Sequence, residues 1–506
     1  MKTKLARLRP LISNPDFLLL LLISINLLVG VATAADYGES WDEQPRYQYA
    51  EESLAAYSGD AGDLKDEKGS FYVMVGKLGS DALGFLRKDW QPIEAWHYMN
   101  FLTFQLGLFF LYRLGKRLIG KWAAFTTVLL FATQPLLWGH AFINPKDIPF
   151  MVFFLGSVEL GLSMVDVRAG KDLARPSDGY GIFRTQIRPF LNSFLHSFAT
   201  RHVWIAGAFL GFASSIRVLG PFSGALVAGY FLLRRGRKAL PVLGSYLVVG
   251  MLTTYLTWPN LWGAPLSRYL KSLAQASDFG WDGTVMFRGV EYAVGELPRQ
   301  YLPVLLSIQF SEAALVLIVI GLMAALIGFL RGILDRRMIL LLAAWGFLPL
   351  LAAIILQPTM YDNFRHLWKS LLVGLVILPN IWALARLHPY EYVYYNQLVG
   401  GVGGAFRRFE TDYWATSYRE ATDFVNAVAP SHARIAVWGP DTMVASYARK
   451  DLEIERLHGK IDKDSLPNLA ILSTRENTDQ IQFPSDRPIF SVGRDGAIFV
   501  VVKLVH

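Results

Sequence analysis

Asp42 and Glu43 stand in the segment Asp36-Tyr-Gly-Glu-Ser-Trp-Asp42-Glu43-Gln-Pro-Arg46-Tyr47, directly after an apolar run from Phe17 to Ala34. A carboxylate beside hydrocarbon is costly unless it meets water, a cation or a ligand, so this pair is a candidate for general-base chemistry. The competing reading is that the two acids only start and solvate a loop helix. Later connections add Asn144-Pro-Lys146-Asp147, then Arg217, then Arg268, Lys271 and Arg288, then Tyr361-Asp362-Asn363-Phe-Arg365-His366. Carboxylates can accept a proton from a hydroxyl, and guanidinium groups bind phosphate oxygens through two donors at once. Each residue also has a plainer role. Asp147 could cap the run that follows it, Arg217 could snorkel to the interface, and Arg365 could be an interfacial anchor.

Ten apolar runs would hold these residues in place: Phe17–Ala34, Ile93–Leu111, Trp122–Trp138, Ile148–Val165, Val203–Ile216, Val218–Leu233, Leu240–Leu256, Ala313–Leu330, Met338–Leu356 and Leu367–Ala385. Most approach the roughly 20 residues needed to cross a bilayer, the fifth and sixth being short. With 53% hydrophobic and 18% charged residues, the chain reads as a polytopic membrane protein, mostly α, a helical bundle of about ten spans. Its net charge of +8 does not imply nucleic acid, because the basic residues alternate between connections. Lys2, Lys4, Arg7 and Arg9 precede the first run. Arg113, Lys116, Arg117 and Lys121 follow the second, and Arg168 to Arg201 and Arg234 to Lys238 continue the series. Those connections are expected inside and the alternate ones outside, which puts Asp42, Glu43, Asp147 and Arg217 on one outward face. Gly220-Pro221 after Arg217 predicts broken helices lining a cavity.

Two outward loops are long, 36–91 and 258–300; the second carries Trp258, Tyr269, Trp281 and Tyr292 and reads equally as an aromatic belt or a substrate-contacting element. The chain has no cysteine, which removes disulfides, thiolate nucleophiles and Cys-ligated zinc. No close pair of histidines is present; a divalent cation could be held by Asp42, Asp147 and His366 only if their loops converge. Val31-Ala-Thr-Ala-Ala-Asp36 resembles a cleavage site, but the run before it is long for a signal peptide. After Arg386 the hydropathy falls, so residues 1–386 are expected to form the membrane domain and 387–506 a small soluble α/β domain. In the latter, Ser417–Val428 reads as an amphipathic helix, Ala433–Gly439 and Leu469–Ser473 as strands, and Pro488–Val492 with Ala497–Leu504 as a hairpin.

Asp42-Glu43 followed by Tyr47, together with Asp147, resembles the multi-span GT-C glycosyltransferases that use polyprenyl-phosphate-linked sugars, the protein O-mannosyltransferases and lipid A aminoarabinose transferases among them. Phe142-Ile-Asn-Pro-Lys-Asp-Ile-Pro-Phe150, Met360-Tyr-Asp-Asn-Phe-Arg-His366, His388-Pro-Tyr-Glu-Tyr-Val-Tyr-Tyr-Asn396, Asp412-Tyr-Trp414 and Ser417-Tyr-Arg-Glu420 are similar to one bacterial branch, in order along nearly the whole chain. The resemblance implies inverting transfer of a sugar from a polyprenyl-phosphate carrier to a lipid, glycan or protein hydroxyl at the outer face of the plasma membrane. It implies Asp42 as base with Glu43 orienting the acceptor or supporting Asp42. Tyr47, Asp147, Arg217, Arg288, Asp362, Arg365 and His366 are the implied substrate-binding residues, and no cofactor is required with certainty. Members of that branch usually carry two spans between the Tyr-Asp-x-x-Arg-His and His-Pro-Tyr-Glu-Tyr strings, where this chain offers only Leu367–Ala385. Strict counting therefore sends the tail inside, whereas the family arrangement places it outside.

A secondary transporter or lipid-linked substrate carrier is the main alternative, since broken helices and membrane acids also mark carriers. Against it stand the lack of an internal repeat of spans and the placement of charge in loops rather than mid-helix. A structural assembly protein whose tail binds partners is the third reading. Neither explains the gathering of acids on one face.

Overall fold

The computed structural model describes residues 14–59, 64, 68–172, 187–277, 283–332, 335–356, 377–439, 441–457 and 467–506. Helices dominate. Those of nine residues or more are α1 Pro15–Thr33, α2 Glu43–Ala55, α3 Phe71–Leu86, α4 Pro92–Ile119, α5 Lys121–Ala132, α6 Pro135–Ile143, α7 Asp147–Asp172, α8 Ile187–Ser197, α9 Arg201–Ser214, α10 Pro221–Arg235, α11 Leu240–Leu256, α12 Pro265–Ser277, α13 Tyr301–Gln309, α14 Glu312–Leu330, α15 Arg336–Leu356, α16 Ile377–Leu387 and α17 Tyr418–Val428. Among the described residues, three helical stretches are long and apolar enough to cross a membrane, Pro15–Thr33, Asp147–Val167 and Pro221–Leu256, and one bent pair, Tyr301–Gln309 with Ala314–Leu330, would make a fourth. That is fewer than the ten expected. Pro135 divides the third expected run into α5 and α6, because proline lacks the N–H that a continuous helix needs. The fifth is only the 14 residues of α9. Most of Leu367–Ala385 lies outside the described residues.

The bundle has two chemically distinct ends. At one, Asp16 opens α1 and accepts from Tyr112, Lys116 and Lys121 at 2.8, 2.9 and 2.7 Å. Asp166 there pairs with Arg117 and with Arg234, the latter at 2.7 Å. This is the end that gathers the basic connections. At the other end lie the Asp36–Asp42 segment, the α6–α7 connection, and the α9–α10 connection. Trp258, whose loop reads equally as an aromatic belt or a substrate-contacting element, is fully buried there, edge-on to Tyr269, whose hydroxyl donates to the Val218 carbonyl at 2.8 Å.

Strands β1 Thr284–Phe287 and β2 Val290–Ala293 form an antiparallel hairpin inside the 258–300 connection. The tail forms a five-stranded sheet from β3 Arg434–Val437, β4 Glu453–Arg456, β5 Leu469–Ser473, β6 Pro488–Arg494 and β7 Ala497–Leu504, in the order β4-β3-β5-β7-β6. β3 is parallel to β4 and β5; β7 runs antiparallel to β5 and β6. β4 was not expected from sequence, because Glu-Ile-Glu-Arg lacks an apolar run and sits at the sheet edge. One buried core joins α1, α4 and α6 to this sheet through Tyr37, Phe101, Phe142, Tyr392, Trp414 and Ile435. The tail therefore sits at the Asp42 end. The Tyr37 hydroxyl donates to Glu391 at 3.1 Å, Arg419 donates to the Tyr37 carbonyl at 2.9 Å, and the Glu39 amide donates to the Tyr447 hydroxyl at 2.9 Å. Directly after α16, His388 bonds to Asp36 at 2.9 Å, so the chain following α16 lies against the acidic segment.

Candidate active site

Two helix ends create the site. α6 stops at Ile143, leaving carbonyls without intrahelical partners. The Asn100 side chain donates to Phe142 O at 2.8 Å and the Ser40 hydroxyl to Ile143 O at 3.0 Å, so α4 and the acidic segment together fix where α6 ends. Asn144 then caps α7: its Oδ1 accepts from the amides of Lys146 and Asp147 at 3.1 and 2.9 Å. The capping role considered for Asp147 thus belongs to Asn144, three residues earlier.

This turn delivers Lys146 to Asp42. The ammonium donates to Asp42 Oδ2 at 2.6 Å, with the two side chains 15% and 33% exposed. Burial depresses the Lys146 ammonium to about 7; the Asp42 carboxylate opposes that shift, while the charges of Arg46 and Lys68 add to it. The charges of Arg46 and Lys68 thus reach the ammonium that holds Asp42. Arg46 follows from α2, whose buried positions Glu43, Arg46, Ala50 and Ser53 recur at helical spacing. Lys68 follows from Gly69, where an added Cβ would stand 2.2 Å from the Ser215 carbonyl oxygen. That close approach lets the Phe71 amide donate to Ser215 O at 3.1 Å and locks the 68–71 segment to the end of α9.

Next along the same face, Asp147 is ion-paired with Arg217 and accepts from Asn144 Nδ2 at 3.1 Å. Asp147 was expected to meet sugar hydroxyls or a cation; its cation is a side chain. Arg217 remains one-third exposed, so part of its guanidinium still faces out.

Glu43 does not stand beside Asp42. Adjacent residues on a helix point different ways, and Glu43 is fully buried, accepting from the Ser40 amide at 2.7 Å and lying 3.1 Å from His97 Nε2. It holds the acidic segment that carries Asp42 against α4. The acid with a shared environment is Glu39, raised to about 7 chiefly by burial and further by the nearby Glu43 charge. Lys146, Arg46, Lys68, His97 and Glu39 were not selected from sequence. Lys146 and Arg46 sat within the quoted motifs, one residue from Asp147 and four from Asp42; Lys68 carried no local signal.

Two other expected residues lie elsewhere. Tyr47 packs edge-on against Trp96 at 5.5 Å with Lys77 above its ring, and Arg288 sits in the exposed β1–β2 turn over Phe287. Neither has a contact to the Asp42 cluster among the described residues. Arg268 closes its own loop through the Asn260 and Trp262 carbonyls. Asp362, Arg365 and His366 lie outside the described residues. Among the described residues no group of three or more His, Cys, Asp or Glu side chains could hold a metal ion, and Asp42 and Asp147 each already carry a basic partner.

The tail strings border this cluster. His388 bridges Asp36 and Glu391, at 2.9 and 2.7 Å, and Tyr37 stacks on Phe142 at 4.2 Å, one turn from Asn144. Asp412 is buried against Tyr392 and Ser417, and burial raises it to about 6.

No protein-family model and no curated protein sequence matches this chain. Two solved structures are similar to it: ArnT from Cupriavidus metallidurans bound to undecaprenyl phosphate, at 13% identity, and the same protein in the apo state, at 12%. Both give a TM-score of 0.44 and cover 96% of this chain and 97% of that chain. The functional reading below rests on the residues themselves.

Proposed function

We propose that this chain is a membrane glycosyltransferase that moves a sugar from a polyprenyl-phosphate carrier to an acceptor hydroxyl, with inversion, in a bundle of about ten crossings. Residues 387–506 form a second domain that closes the site, and the Asp42 end faces outward. The observation that carries the proposal is the ion pair of Lys146 with the partly exposed Asp42, with Arg46 and Lys68 close enough to act on the Lys146 charge and the Asp147–Arg217 pair one residue further along. Cations beside the candidate base favour a phosphate there.

In the proposed step the acceptor oxygen bonds to the anomeric carbon and its proton passes to Asp42. The bond between that carbon and the phosphate oxygen breaks, and its electron pair stays on the lipid phosphate. A phosphate leaves without protonation, so the chain must supply only a base and cations for the charge that develops. Lys146 is placed for both ends of that task, holding Asp42 before the donor arrives and the phosphate afterwards. Incubating membranes that contain the chain with radiolabelled polyprenyl-phosphate sugars and a lipid extract tests the reading. Label should move from carrier to an acceptor with the wild type and not with membranes lacking it; label that stays on the carrier across all donors would refute transfer. The basic connections at the Asp16 end support the orientation through the positive-inside bias.

A further inference from the structure

At the Asp16 end a cavity of about 410 Å³ opens between α4, α7 and α9. Arg113 and Arg117, one turn apart on α4, share its polar wall with Arg201, the first residue of α9. Arg113 Nε donates to Glu159 at 3.0 Å, and Arg117 donates to Ser163 at 2.6 Å and pairs with Asp166. Arg234 reaches the same Asp166. Arg113, Arg117 and Arg234 thus share two carboxylates, Glu159 and Asp166, and Arg201 adds a fourth guanidinium on the cavity wall, so positive charge exceeds negative among these side chains. Arg117, on the cavity wall, keeps a donor in reserve: its Nε is buried with no hydrogen-bond partner among the described residues. Arg201 has no ion-pair partner among them either, and it sits where the free N–H groups of a 14-residue helix favour an anion. The rest of the wall is His202 and an apolar part formed by Leu160, Val167 and Ile205.

We propose that this cavity binds the phosphate headgroup of an anionic membrane lipid in the leaflet at that end. Arg113, Arg117 and Arg201 take the phosphate, and Leu160, Val167 and Ile205 take the beginning of the acyl chains. Free phosphate would satisfy the guanidinium groups but would leave the apolar wall facing water. The site is at the opposite end of the bundle from Asp42, and the proposal stands whether or not transfer is observed there.

Native mass spectrometry of the full-length protein in detergent tests it, with an equal mixture of phosphatidic acid and phosphatidylcholine of the same chains as probe. The wild type should retain phosphatidic acid about tenfold more than phosphatidylcholine, a difference of the size expected for a few charge-assisted contacts. Arg201→Gln should reduce that preference several-fold. Ile205→Trp, which fills the cavity without changing charge, should reduce it as well, so the test survives if one variant fails to fold. Equal retention of the two lipids by the wild type, or a preference unchanged in the folded variants, would overturn the proposal. Displacement of phosphatidic acid by an equal concentration of inorganic phosphate would also overturn it, by making free phosphate the ligand.

Discussion

Asp42 has two partners to serve, an acceptor proton and the Lys146 ammonium that now holds it, and the order in which they act can be measured. Asp42→Asn should keep donor binding close to that of the wild type while lowering transfer about a hundredfold or more, the usual scale for losing a general base. Lys146 gives a pH signature. Burial sets its folded value near 7, below its ordinary 10.5, so the charged form needed for phosphate dominates below pH 7 and is lost as pH rises through it. A donor phosphodiester keeps its own charge over that range. Donor affinity should therefore weaken by about tenfold per unit above pH 7, and Lys146→Arg, charged throughout, should flatten the profile. A titration of wild type that is flat from pH 6 to 8.5 would remove Lys146 from the phosphate site. At this scale the sequence was half legible. It placed Asp42, Asp147 and Arg217 together because charge at a membrane edge is conspicuous in composition. It did not show that Glu43 is buried against His97 or that Tyr47 packs on Trp96, because a short motif does not say which face of α2 a side chain takes.

Among the elements, close backbone approach decides more than hydrophobic periodicity does. Gly38 lies where an added Cβ would be 2.2 Å from the Thr416 carbonyl oxygen, so the acidic segment and the start of α17 meet backbone to backbone. Gly38→Ala should force them apart, destabilise the protein by about 1–3 kcal/mol as an overpacked contact does, and lower the melting temperature measured in detergent. An unchanged melt would show that the tail is not clamped there. Helix α17 was readable from its amphipathic pattern, and β5 and the β6–β7 hairpin from short apolar runs, β5 being buried along its whole length. The division of Trp122–Trp138 was not expected. Hydropathy runs smoothly across Pro135, and only the side chains of Asn100 and Ser40, distant in sequence, fix where α6 ends.

For the whole molecule, the placement of the tail beside the Asp36–Asp42 segment predicts a topology that a cysteine-free chain makes easy to test. Ser58→Cys and Ser431→Cys should both react with an impermeant maleimide in intact cells, while Arg237→Cys, at the basic end, should react only after lysis. Labelling of Ser58→Cys with protection of Ser431→Cys would break the shared face. Sequence could not decide this point, because one run between Ala313–Leu330 and the tail more or less reverses every later sidedness, while the contact of His388 with Asp36 spans 352 positions. The central claim is that cations gathered around Asp42 hold a lipid phosphate while Asp42 does the chemistry. Its most direct test is one paired measurement of donor affinity and single-turnover transfer on Asp42→Asn and Lys146→Gln, with the wild type alongside. The account predicts near-normal affinity without transfer for Asp42→Asn, and affinity weakened about tenfold or more for Lys146→Gln; transfer at the wild-type rate in Asp42→Asn, or unchanged affinity in Lys146→Gln, would contradict it.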